Sequence, residues 1–227
     1  YLKFILLMKK KIMVIGGSSL LGYKILTNRN NFELYASYNK NPINMENLES
    51  IEIDITNKTN CKKILEIKPD VIINTAAITN VDYCEKFKKN AFDVNVTGTK
   101  NISEIADKIG SKLIHISTDA VFSGDKKFYT EEDEPNPVNI YGKTKFEGEK
   151  IVSKIEDSVI LRPSVIFGWI PSEYIKTRDE SRKTMNFGLW VLDQLNKKNK
   201  MSIVNDQFNT PTLADNMAKN ILEILQK

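Results

Sequence analysis

The feature that most constrains this chain is the apolar run at residues 12–15, followed at once by Gly16-Gly17-Ser18-Ser19-Leu20-Leu21-Gly22. A short unbroken apolar run closed by glycine suits a strand covered on both faces. Leu20, Leu21, Ile25 and Leu26 then fall at helical spacing, which puts the glycines in a strand-to-helix turn. The alternation recurs. Residues 33–38, 50–55, 71–77, 112–118 and 159–164 read as strands, and 61–67, 92–109 and 141–154 as helices. Strands alternating with helices predict a doubly wound α/β domain with a parallel sheet over residues 9–165. Residues 166–227 form a smaller C-terminal lobe with segments returning to the sheet. Its expected parts are a polar stretch at 172–183, a helix at 187–195, a strand at 202–205 and a terminal helix from Leu213.

Composition excludes several classes. The 33 Lys and Arg exceed the 29 Asp and Glu by only four, and the two signs are interspersed. A nucleic-acid partner would need a concentrated basic stripe. Residues 1–8, apolar apart from Lys3, precede Lys9-Lys10-Lys11, the reverse of a signal peptide, and the run is too short to span a bilayer. Met8 is the expected start, and the expected location is the cytoplasm, with no membrane partner. Cys61 and Cys84 follow no metal or redox spacing, so two buried thiols are expected. No metal is expected either, because the acidic run at 131–134 reads as a surface loop.

The glycine turn suits a phosphate. Gly16 permits the tight bend, and Gly22 permits close packing of helix on strand. The helix N-terminus offers free N–H groups to an anion. The middle position is Ser19 rather than glycine, which is expected to hinder backbone approach. No acid follows the second strand until Glu46, and Lys40 stands where a ribose 2′-hydroxyl would be met. A cation there favours a 2′-phosphate, hence NADPH, with NADH as the other candidate.

Tyr141 and Lys145 are four residues apart at a helix start and so share a face. A lysine charge nearby would lower the phenol's ordinary pKa of about 10 and make it a general acid. Thr118 ends a strand at the carboxyl edge of the sheet, where its hydroxyl can hold a carbonyl. The single histidine, His115, reads as a core residue, and Trp169 and Trp190 as packing in the core or lobe.

These motifs together carry a resemblance. Residues 69–77, Asp93-x-Asn95-x-x-Gly98-Thr99, Ser117-Thr118-Asp119-x-Val121-Phe122 and Tyr141-x-x-x-Lys145 resemble the extended short-chain dehydrogenase/reductases. Thr79-x-Val81-Asp82, Leu161-Arg162 and Asn205-Asp206-Gln207-Phe208-x-x-Pro211-Thr212 are similar to the dTDP-4-dehydrorhamnose reductase family. The resemblance implies a Rossmann-type fold, an NAD(P)-dependent oxidoreductase and a nucleotide-sugar substrate reduced at its 4-keto group. It implies that Tyr141 donates the proton while Lys145 holds the nicotinamide ribose. Thr118, Asp119 and the Val165 position would meet the substrate. Ser19, Leu20, Leu21, Asp54, Ile55, Ala77, Ile78, Thr79, Asn95 and Ile116 would line the cofactor. Where the family carries a tyrosine and a tryptophan this chain has Ala120 and Val165, which leaves the sugar open. The family continues past the Pro211-Thr212 region, so the lobe here is a fragment or a shortened version. A homodimer is a further expectation. Two rivals stand beside the reductase. One is another nucleotide-sugar epimerase or reductase; the other is a regulatory subunit like that of methionine adenosyltransferase.

Overall fold

The computed structural model describes residues 9–28, 32–171 and 186–225. Its centre is a six-stranded sheet, parallel throughout, in the order β3-β2-β1-β4-β5-β6. The strands are β1 (Lys11–Ile15), β2 (Glu33–Tyr38), β3 (Glu49–Glu52), β4 (Val71–Asn74), β5 (Lys112–Ile116) and β6 (Ser158–Leu161). Helix α1 (Leu20–Thr27) joins β1 to β2, and α2 (Lys58–Cys61) and α3 (Ile64–Ile67) lead into β4. Helices α4 (Val81–Lys86), α5 (Lys88–Phe92) and α6 (Thr99–Ile109) join β4 to β5, and α7 (Ile140–Val152) precedes β6.

Alternation along β1 decides which side each helix covers. Ile12 and Val14 point to one face, where Leu21, Ile25 and Leu26 of α1 bury them. Met13 and Ile15 point to the other, against Ile64, Ile102 and Ile105. The first face is completed from the far end of the chain. Helix α9 (Ala214–Ile224) lays Met217, Ala218, Ile221 and Leu222 onto it, and Lys24 of α1 pairs with Asp215 at 2.8 Å.

The remainder is smaller. A two-stranded parallel ribbon pairs β7 (Ile166–Phe167) with β8 (Thr212–Leu213). Helix α8 (Phe187–Asn196) buries none of its residues. The expected strand at 202–205 does not form. Ile203 and Val204 are 52% and 63% exposed, and among the described residues no neighbour offers a ladder, without which an extended segment gains no stability. The expected polar stretch at 172–183 lies outside the described residues.

Two departures from the expected elements shape the site. The third strand stops at Glu52 and the fourth at Asn74, so 53–55 and 75–77 leave the sheet at its carboxyl edge. The single long helix expected at 92–109 is interrupted by a π-helical turn over Asp93–Gly98. Such turns insert an extra residue and re-aim side chains. Here the turn places Asn95 against the chain leaving β4. Among the described residues no helix is long and apolar enough to cross a membrane.

Candidate active site

Strand order reverses between β1 and β4, so the chain leaves these neighbours in opposite directions and opens a crevice at their carboxyl ends. Two adjoining cavities of about 440 and 300 Å³ occupy it and share Gly16, Ala76 and Ala77 as a common wall. Leu20, Leu21, Thr79, Ile116, Asp119 and Val165 line the larger, as do Ser19, Thr118, Tyr141 and Lys145. Lys40, Asp54, Ile55 and Ile78 line the smaller. Gly22 and Asn95 line neither.

The glycine turn is built from inside. Gly16 has φ +76°, and a Cβ there would stand 3.0 Å from Ala76. A Cβ at Gly22 would lie 2.6 Å from Gly16 O, so Gly22 serves helix-on-turn contact rather than the cavity. Ser19 does not obstruct the turn as expected. Its Oγ caps α1 by accepting the Gly22 N–H at 3.0 Å and lies 2.9 Å from Thr75 Oγ1. Thr75 donates its own proton to Ile15 O and Gly16 O, so Ser19 donates to Thr75. The side chain is therefore turned inward and engaged. Leu20 and Leu21 lie in the first helical turn, where N–H groups have no partner within the helix.

The residues fit a dinucleotide. Ser18 and Ser117 line the larger cavity, and among the described residues neither hydroxyl has a hydrogen-bond partner. The smaller cavity offers Lys40 and Asn41 beside Asp54, whose Oδ1 accepts from Thr56 N and Oγ1. Asn95 has another task than the cofactor contact expected of it. Its Oδ1 accepts the Ile78 N–H at 2.8 Å, and its Nδ2 donates to Ile78 O and Thr144 Oγ1, both at 3.0 Å. It clamps the cavity wall after β4 to α7.

Helix α7 brings Tyr141 and Lys145 to one wall. Asn139 caps it by accepting the Gly142 N–H at 2.8 Å. Gly142 matters to this placement although it carries no reactive group. A Cβ on it would stand 2.1 Å from Ala120 O, so helix and the 3₁₀ turn Asp119–Val121 meet backbone to backbone. Thr118 caps that turn through Ala120 N and is thereby held beside Tyr141. The motif's glycine one place after the tyrosine was the available signal.

The electrostatics differ from the expected lowering of the Tyr141 pKa. Burial pushes the phenol up to about 12, and a hydrogen bond with Thr118 only partly opposes this. Lys145 is 1% exposed and donates to Ile116 O at 2.7 Å; burial lowers it to about 8 while the Glu149 charge acts the other way. Glu149 is gripped by Arg162, with Nη2 at 2.7 Å and Nε at 3.0 Å, and Arg162 lies over the Phe122 ring. His115, fully buried as expected, lies 3.4 Å from Lys145 Nζ. Val165 carries φ +33°, strained for a β-branched residue, and that strain sits on the cavity wall. Trp169 departs from expectation at 59% exposed, and Trp190 stacks on Phe187. Both cysteines are buried and unpaired, with thiols pushed up to about 11 by burial.

Residues 9–227 match the RmlD substrate binding domain. The chain belongs to that family. An RmlD-family relative, the dTDP-4-dehydrorhamnose reductase of Aggregatibacter actinomycetemcomitans, is 32% identical over 223 residues, 96% of this chain and 68% of that protein. The bovine methionine adenosyltransferase 2 subunit beta is 31% identical over 182 residues, 78% of this chain and 52% of that one. A dTDP-4-dehydrorhamnose reductase of Bacillus anthracis, solved in complex with NADP, superposes with a TM-score of 0.81 at 28% identity. That superposition covers 97% of this chain and 72% of the other. The RmlD-type chain thus spans between about half and two-thirds of its curated relatives' length. The resemblance and the Rossmann-type parallel sheet expected from the sequence are both borne out.

Proposed function

We propose that this protein reduces the 4-keto group of a dTDP-linked deoxysugar with NADPH, converting dTDP-4-dehydrorhamnose to dTDP-rhamnose. The observation that carries the reading is the convergence of Thr118, Tyr141 and Lys145 on the cavity that the glycine turn also lines. Family membership and the NADP-bound relative support it. Gly16, Leu20 and Leu21 would hold the pyrophosphate, Asp54 and Ile55 the adenosine end, and Lys40 a 2′-phosphate. When bound, the nicotinamide supplies a hydride to the carbonyl carbon.

The side chains supply the proton. Tyr141, protonated throughout the neutral range by its raised pKa, gives its phenolic proton to the carbonyl oxygen as that oxygen gains charge. The phenolate left behind is stabilised by the positive charge of Lys145, one helical turn away. Thr118 orients the carbonyl, and Asp119 lies beside it at the sugar end. Val165 lines the same cavity, so sugar selection would fall in part to a small side chain.

The test is Tyr141→Phe. Losing general-acid transfer should cut NADPH oxidation by about a hundred- to ten-thousand-fold while the NADPH Kd stays within a few-fold. Undiminished turnover would exclude Tyr141 as the acid. If the unmodified protein binds NADPH but reduces no nucleotide-linked ketone, the regulatory reading, favoured by the bovine subunit's similarity, takes its place.

A further inference from the structure

Lys145 is met from behind by a residue that reaches neither cavity. His115 is fully buried on β5, with Nε2 3.4 Å from Lys145 Nζ and Nδ1 3.3 Å from Asn74 Nδ2. Asn74 is 1% exposed, and its Oδ1 accepts the Ala76 N–H at 3.2 Å. Turning that amide over would set its NH2 against an N–H, so Asn74 presents a donor to His115. Nδ1 of the ring is then an acceptor, and the neutral ring carries its proton on Nε2. That N–H points at Lys145 Nζ, which already donates to Ile116 O at 2.7 Å. An ammonium meets this N–H donor to donor; an amine meets it with a lone pair.

We propose that His115 is a positioning residue that governs the charge of Lys145, with its tautomer held by Asn74. When Lys145 is neutral, every contact from Ala76 through Asn74 and His115 to Nζ is satisfied. When Lys145 is charged, the ring must carry its proton on Nδ1 so that Nε2 can accept. That places Nδ1–H against the Asn74 amide. Ring tautomer and lysine charge therefore change together, without the ring itself becoming charged.

The surroundings favour this arrangement. Burial and the neighbouring Lys145 hold the imidazole well below its ordinary range. From α7 itself, Tyr141 lies one turn before Lys145 and Glu149 one turn after, and Glu149 favours the charged lysine. Arg162, at the end of β6, engages that carboxylate. Asp119, in the turn after β5, raises Tyr141 rather than Lys145. Burial brings Lys145 to about 8, which puts the exchange within reach of ordinary buffers. A lysine able to lose its charge would switch off support for the Tyr141 phenolate as pH rises, and this consequence rests on the reductase reading above.

The chain has one histidine, so its ring signals cannot overlap with others. Long-range ¹H–¹⁵N correlation of the full chain labelled with ¹⁵N-histidine, from pH 6 to 10, reads the tautomer directly. The expected result is a neutral ring throughout, carrying Nδ1–H at low pH and Nε2–H at high pH, with a midpoint near 8, the lysine's own value. A single tautomer at every pH, or an imidazolium appearing near 6.5, overturns the proposal. In Asn74→Leu the Nδ1–H form should persist to higher pH, and the alkaline limb of kcat for ketone reduction should move with it. An unmoved midpoint in that folded variant overturns the role of Asn74, and an unmoved limb overturns control by His115. A tautomer switch without ketone turnover would refute the reductase reading and leave the His115 assignment standing. Turnover without a switch would do the reverse. The spectrum of the unmodified chain decides the switch even if the variant fails to fold.

Discussion

Replacing Gly142 with alanine sets two calculable effects against each other. Alanine is the better helix former, and inside α7 the exchange alone should stabilise by about 0.5–1 kcal/mol. The new methyl, however, would stand 2.1 Å from Ala120 O, where ordinary contact begins at 3.4 Å. The obstacle is backbone, and Pro137 Cβ, 3.0 Å away, closes another direction, so helix and turn must separate by about 1.3 Å. Overpacking of this kind costs about 1–3 kcal/mol, which outweighs the propensity gain. The separation also moves Thr118 and Tyr141 apart, and a misplacement of about 1 Å can cost on the order of a hundredfold in rate. We expect Gly142→Ala to lower both the melting temperature and kcat, the latter by about a hundredfold, while the NADPH Kd measured by fluorescence stays within threefold. Gly188→Ala is the control. Its nearest neighbour would be 3.6 Å away, and the change should be neutral or stabilising. A folded Gly142→Ala protein with a raised melting temperature and full kcat would refute the backbone-to-backbone reasoning.

Lys40→Ala should narrow the preference for NADPH over NADH, read as the ratio of the two Kd values; an unchanged ratio would remove Lys40 from 2′-phosphate recognition. Ser19→Ala should cost about 1 kcal/mol of stability by loss of the α1 cap, and Ser19→Gly only a few tenths. Both variants should keep NADPH affinity, because the hydroxyl is spent on Gly22 and Thr75, and a tenfold loss on titration would show that it also serves the phosphates. His115 is held neutral in the folded protein but takes up a proton near 6.5 when unfolded, so stability should fall as pH drops below 6.5. The slope between pH 6.5 and 5, before most carboxylates titrate, should approach about 1.4 kcal/mol per pH unit and flatten in His115→Gln. Equal slopes in urea-melt series of the two proteins would contradict this.

Much of the site can be read along the chain because its ingredients are local. Gly16 to Gly22 form one continuous turn, and Tyr141 and Lys145 are related by a single helical turn, so spacing suffices to place each pair on one surface. Continuous apolar strands specify a sheet covered on both sides, for the simple reason that no face is left polar. The expected strand at 202–205 shows the limit of this reading: a β-favourable run becomes a strand only if another backbone is there to pair with it.

What only the tertiary structure decided are the contacts between residues far apart in the chain. Asn95 clamps Ile78 to Thr144, Gly142 touches Ala120, and Ser19 turns inward because Thr75 receives it. The sign of the Tyr141 shift belongs here too. A lysine four residues away suggests a lowered pKa, but burial raises it, and burial is a property of everything that surrounds the phenol. The sequence by itself determined the sheet, the turn and the candidate side chains of the site, since periodicity and short spacings encode them. The folded chain determined their charges, because desolvation and hydrogen bonding depend on neighbours that sequence order does not bring together.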